Sequence, residues 1–259
     1  MDRSQTLKNA LYLQPMKKPV KPYAAKETSK KIQVQQMFDG ISDRYDQLNR
    51  VISFGIDIRW RQILIQKVLE QQPKKVLDVA TGTGDLALAL AQKNNQIDIT
   101  GLDISAGMLD LGKEKVLQAQ KSKQIQMILG DSEDLPFEDH SFDGVMVAFG
   151  VRNFENLDLG LQEIYRVLKP GGQLTILETS VPQQWFFRLG YRIYTGGIMP
   201  IIGRLFSSDK NAYSYLSDSA ASFPYGEAFN NILIKNGFIE VKDYPQTLGV
   251  ASIYCASKT

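Results

Sequence analysis

Between residues 75 and 178 short apolar runs alternate with helical segments, and few folds accommodate that alternation. Lys75–Ala80, Ile97–Leu102, Ile125–Leu129, Phe142–Ala148 and Gly172–Glu178 read as strands. Asp85–Gln92, Ser105–Gln120 and Leu157–Leu168 read as helices between them, with Ser105 placed to cap the second. Such βαβ units build a parallel sheet with helices on both faces. The end of the chain departs from this. A helix near Glu227–Asn236 leads to strands Phe238–Tyr244 and Gly249–Ala256, and the connection between them contains only Pro245 and its neighbours such as Gln246. So short a link cannot cross over, so the last two strands pair antiparallel. The expected sheet is mostly parallel, seven-stranded and Rossmann-like, with a C-terminal antiparallel hairpin.

Two regions flank this frame. Helices are expected over residues 31–72, the first from about Ser29 and the second from about Asp57 to Gln72, closed by Pro73. Residues 181–223 read as an irregular, aromatic-rich lid inserted late in the sheet. Its stretch Trp185–Tyr194 carries Arg188 and Arg192 four apart, which suits either an amphipathic lid helix or a lipid-facing entrance.

Charge divides the chain unevenly. Residues 1–31 hold eight Lys/Arg and two acids, so they carry +6 of a formal net charge of only +2, and the rest is acidic overall. The body is therefore a poor nucleic-acid binder. The first 30 residues read as a basic flexible tail, Lys-rich with three prolines, unlike a signal or transit peptide. No run reaches the roughly 18 apolar residues of a membrane span. A single Cys255 and a single His140 leave no disulfide and no Cys/His zinc set. A reducing, cytoplasmic setting follows. Peripheral contact with the inner face of the cell membrane, through tail or lid, stays open, as does a homodimer.

The chemistry concentrates at strand ends. Val76-Leu77-Asp78-Val79-Ala80-Thr81-Gly82-Thr83-Gly84-Asp85 is a strand entering a glycine turn and a helix. Its glycines let a ligand approach the backbone, and helix-start N–H groups add a positive field. This pattern fits NAD and S-adenosylmethionine equally. Asp103 ends the second strand, nineteen residues beyond Gly84, where a carboxylate can accept both hydroxyls of a ribose. Asp131 and Ser132 open an acidic loop after the third strand. They suit an adenine edge, and four acids nearby suit a cationic sulfonium better than a pyrophosphate. That loop and the terminal hairpin favour a methyltransferase-like sheet over a nicotinamide oxidoreductase. Arg152 and Asn153 lie just past a strand's C-terminal end, the ligand-facing edge of such sheets.

Three stretches carry a family resemblance. They are Tyr45-Asp46-x-Leu48-Asn49-x-x-Ile52-Ser53-Phe54-Gly55 ending at Trp60, Phe149-Gly150-Val151-Arg152-Asn153, and Tyr165–Gly172 continuing to Glu178-Thr179-Ser180. Together they resemble the ubiquinone/menaquinone biosynthesis C-methyltransferases, from about residue 31 to the end. The resemblance implies an S-adenosylmethionine-dependent class I methyltransferase fold and C-methylation of a polyprenyl hydroquinone, with demethylmenaquinol first. The ubiquinone-pathway benzoquinol is the alternative ring, and a non-catalytic subunit of a quinone-synthesis complex the alternative role. It implies cofactor contacts at Thr83, Asp103, Asp131 and Ser132, beside Asp78, Gly82 and Gly84 of the loop. A Ser of relatives is Ala148 here, and Asp57 stands where relatives have His or Gln. Methylating carbon requires a ring hydroxyl to lose its proton. Arg152 could stabilise the phenolate, and of Tyr45 and Asp46, which can come over the site from the N-terminal helices, Asp46 is the better proton acceptor.

Overall fold

A computed structural model describes residues 20–23, 25–182, 184–187, 197 and 210–259. Most of the basic tail and the Arg188–Arg192 part of the expected lid lie outside these residues.

Seven strands form one sheet in the order β3-β2-β1-β4-β5-β7-β6. They are β1 (Lys75–Val79), β2 (Asp98–Asp103), β3 (Ile125–Leu129), β4 (Phe142–Ala148), β5 (Leu168–Thr179), β6 (Ile239–Gln246) and β7 (Ala251–Ser257). The first five run parallel, and β7 pairs antiparallel with both β5 and β6. Among the described residues the α-helices are α1 (Lys30–Ser53), α2 (Ile56–Leu69), α3 (Asp85–Lys93), α4 (Ala106–Gln118), α5 (Leu157–Val167), α6 (Lys210–Ser222) and α7 (Glu227–Lys235). Ser105 caps α4 as expected, its hydroxyl accepting the Met108 N–H.

Both faces of the sheet are buried. On one, Leu77, Phe142 and Ile176 pack against Leu161 and Ile164 of α5 and Phe229 of α7. On the other, Val76 and Ile99 meet Leu64 of α2, Leu90 of α3 and Val116 of α4. A third apolar cluster joins Val34, Met37, Ile41 and Leu48 of α1 to Met108 of α4 and to Tyr215 and Leu216 of α6. The spacing of those α1 residues makes one apolar stripe, which holds α1 and α6 together.

Four local expectations change. Residues 210–222 are helical rather than irregular, because Ala212, Tyr215 and Leu216 present a helical face to α1. Pro245 and Gln246 belong to β6, and the hairpin turns at Thr247–Gly249 through left-handed Thr247 and Leu248. Strand β5 starts at Leu168, directly from α5, since Phe142 pairs with Leu168 before the register shifts to Gly144 and Gln173. Helix α2 ends at Leu69, short of Pro73, and Gln72 turns the chain with φ of 50°.

Strand order reverses between β1 and β4, and the C-terminal ends of those two strands open the crevice where such sheets hold ligands.

Candidate active site

The crevice holds a cleft lined by Gly82, Asp103, Asp131, Ser132, Glu133 and Asn153, with Phe38 and Tyr45 above it from α1. Gly82 and Gly84 take positive φ, and a side chain added at Gly82 would meet nothing within 4 Å, so that face of the loop is open to a ligand. Asp103 organises the loop. Its Oδ2 accepts the Gly82 N–H at 2.8 Å and its Oδ1 the Ser105 N–H at 2.9 Å. Burial raises the Asp103 carboxyl above its usual range, against the opposing pull of the Ser105, Gly82 and Ile104 N–H groups.

Asp78 lies beneath the loop, 1% exposed, and its Oδ2 accepts the Thr81 hydroxyl at 2.6 Å. Burial pushes its carboxyl up to about 7. It lines a recess behind the loop with Thr83 and Asp46 rather than the main cleft. Asp46 hydrogen-bonds through Oδ1 to the Thr83 hydroxyl at 2.8 Å and through Oδ2 to the Lys115 ammonium, which also reaches Asp85 at 2.7 Å. Asp46 therefore ties α1 to the glycine loop. Asp131 is engaged by Lys31, which lies 3.3 Å from Glu133 as well.

A second, largely apolar cavity adjoins the cleft. It is lined by Tyr45, Asp57, Trp60, Arg61, Phe149 and Arg152, among others. Tyr45 and Phe149 border both spaces. Arg152 donates from Nη1 to Glu178 Oε1 at 2.5 Å, with both side chains buried. Burial works against the Arg152 charge, but Glu178 outweighs it and the guanidinium binds its proton more tightly than usual. Asn153 borders the cleft; its Oδ1 accepts the Tyr215 hydroxyl at 3.2 Å. Lys30 anchors the segment, donating to the carbonyls of Arg152 and Phe154 at 2.9 and 2.6 Å.

The structure thus brings Gly82, Asp103, Asp131, Ser132 and Asn153 to one cleft and Arg152 to its neighbour, with Tyr45 shared. Sequence reasoning passed over Lys30, Arg61, Lys115 and Glu178. Two of these left a local sign: Glu178 as an acid ending the apolar run Leu174-Thr175-Ile176-Leu177, and Arg61 by its i,i+4 spacing from Asp57.

Strand order, the antiparallel β7, the open glycine loop and Asp103 at the end of β2 define a class I methyltransferase. An open glycine loop beside a carboxylate at the end of the second strand is an arrangement that suits the ribose of S-adenosylmethionine. Comparison with known proteins agrees: the model of the ubiE/COQ5 methyltransferase family matches residues 25–258, and the chain belongs to that family. It is an S-adenosylmethionine-dependent methyltransferase, and the nicotinamide alternative is set aside. The chain is 42% identical over 239 residues to the demethylmenaquinone methyltransferase of Bacteroides fragilis, covering 92% of this chain and 97% of that one. It is 44% identical over 234 residues to the ubiquinone/menaquinone biosynthesis C-methyltransferase UbiE of Geotalea daltonii, covering 90% and 99%. Among solved structures, the [4+2]-cyclase SpnF shares the fold with a TM-score of 0.62 at 19% identity, covering 87% of this chain and 95% of that one.

Proposed function

We propose that this protein methylates a ring carbon of demethylmenaquinol to give menaquinol, the last step of menaquinone biosynthesis. The observation that carries this reading is the apolar cavity that meets the cofactor cleft at Tyr45 and Phe149 and contains a buried arginine. When bound, S-adenosylmethionine supplies a methyl group already activated by its sulfonium. The chain's residues do the rest. Asp103 accepts the ribose hydroxyls and Asp131 with Ser132 borders the adenine end. Asp78, Thr83 and Asp46 hold the glycine loop in shape. Helices α1 and α6 cover the crevice and exclude water, so charge developing on a ring oxygen meets the Arg152 guanidinium in a poorly solvated space.

The Geotalea relative is named for both quinone pathways, which keeps the benzoquinol ring as a second substrate. A polyprenyl substrate resides in a bilayer, so the reading places the protein peripherally at the cytoplasmic membrane face. Among the described residues no helix is long and apolar enough to cross a membrane.

The test is a paired assay of purified protein with S-adenosylmethionine and short-chain demethylmenaquinol or demethylated benzoquinol. Methylation of the naphthoquinol, faster than of the benzoquinol, is expected. Methylation of the benzoquinol alone would move the assignment to the other pathway.

A further inference from the structure

Asp57 is a buried carboxylate in the second cavity with no part in holding the cofactor loop. It lies in the first turn of α2, is 5% exposed, and lines the cavity with Tyr45, Phe149 and Arg152. Its Oδ1 accepts the Ser53 hydroxyl. Its Oδ2 faces Arg61 Nε at 3.7 Å, beyond hydrogen-bond reach, and that Nε is buried with no hydrogen-bond partner. Arg61 is thus a nearby counter-charge that does not consume the acceptor capacity of Oδ2. Asp46 offers a contrast, since its two oxygens are taken by Thr83 and Lys115 and it lines the recess behind the loop. Asp39 of α1 is likewise engaged, by the Ser105 hydroxyl and the Gly107 N–H, so among the described carboxylates of the N-terminal helices Asp57 is the one that borders the apolar cavity.

We propose that Asp57 is the proton acceptor for the quinol's ring hydroxyl, with Ser53 and Arg61 as the positioning residues that orient its carboxylate. The proposal rests on the methyl-transfer reading above. The hydroxyl proton passes to Oδ2, and the electron pair of the broken O–H bond pushes density into the ring. The ring carbon then bonds to the methyl carbon as the methyl–sulfur bond breaks, its pair remaining on sulfur. The ring ketone so formed loses its C–H proton to solvent and regains a proton at oxygen from Asp57. One proton is released per methyl transferred, and the carboxylate is restored. Arg61 from α2, Arg152 from the turn after β4 and Tyr45 from α1 face the same cavity, and Asp85 of α3 lies 3.7 Å beyond Arg61.

The test compares the full-length wild type with Asp57→Asn and Asp57→Glu, using S-adenosylhomocysteine affinity by calorimetry, single-turnover methylation of short-chain demethylmenaquinol against pH, and the ultraviolet spectrum of bound 4-methoxy-1-naphthol. Asp57→Asn is expected to bind S-adenosylhomocysteine within about 2-fold of wild type while its rate falls by about 10²–10⁴-fold, the span of general-base catalysis. Its residual rate should climb with pH where the wild-type rate is level. Bound naphthol should show the naphtholate band with wild type and lose it with Asp57→Asn. Should Asp57→Asn fail to fold, Asp57→Glu decides, since it must keep the naphtholate band and a level profile. An Asp57→Asn rate within about 3-fold of wild type with an unchanged profile and band overturns the proposal. So does Asp57→Glu without the band although it binds S-adenosylhomocysteine normally. A wild type that binds S-adenosylhomocysteine yet methylates no quinol overturns the methyl-transfer reading and this inference with it.

Discussion

Arg152 and Glu178 face each other across the crevice floor as an ion pair buried on both sides, one on the turn after β4 and the other near the end of β5. Only one edge of the pair is used. Arg152 Nε and Glu178 Oε2 are both buried without a hydrogen-bond partner. Burying two charges is costly, so a pair that leaves hydrogen-bonding capacity idle is a poor stabilising device. Arg152 also stands at the wall of the apolar cavity, and on the proposed reaction it would be a fixed positive charge where a ring oxygen becomes negative.

Removing one partner should show this directly. Glu178→Ala leaves Arg152 buried without its counter-ion, and urea unfolding should show a loss of about 3–5 kcal/mol. A loss below about 1 kcal/mol would mean that Arg152 turns out to solvent.

Asp103 gives a different signature. Asp103→Ala should weaken S-adenosylhomocysteine binding by about 1.5–3 kcal/mol for each charged hydrogen bond lost, roughly 10- to 150-fold in calorimetric Kd for one bond. The loop should also loosen, because the Gly82 and Ser105 N–H groups lose their acceptor. Unchanged affinity would remove Asp103 from the ribose site.

Asp78 predicts a pH dependence of stability. Its folded pKa is about 7 against an ordinary 3.8, so the unfolded chain gives up this proton first as pH rises. The contribution is fully present below about pH 3.8 and is lost as pH climbs to about 7. Asp78→Asn should flatten the fall in urea-unfolding free energy between pH 5 and 7, and an unchanged slope would contradict the buried carboxyl.

Gly160 tests the packing behind the cofactor cleft. A Cβ there would come within 2.6 Å of Phe154 Cε2, and Phe154 is 7% exposed in the core. Gly160→Ala should cost about 1–3 kcal/mol by overpacking, read as a lower urea midpoint at constant slope.

Much of the frame is readable along the chain. The runs of β1, β2 and β4 are buried on both faces, so their continuous apolar character marks them, and the hairpin pairing follows from the length of its link. What escaped depends on distant partners. Residues 210–222 are helical because Tyr215 and Leu216 meet α1 about 170 positions away, which no local window records. Asp103 and Gly82 were visible because motif spacing encodes a backbone contact. Asp46 was placed over the site, yet its carboxylate turns to Lys115 of α4, a partner that spacing could not name. Arg61 stands four residues after Asp57, a helical pair in plain view whose meaning required the cavity beside it.

The most direct test of the account is transfer of label from S-adenosylmethionine carrying a deuterated methyl group to short-chain demethylmenaquinol, with the product read by mass spectrometry and carbon NMR. The account predicts one intact deuterated methyl on the naphthoquinol ring carbon and one S-adenosylhomocysteine formed per product. Label on a ring oxygen, or bound cofactor with no labelled quinol, would contradict it.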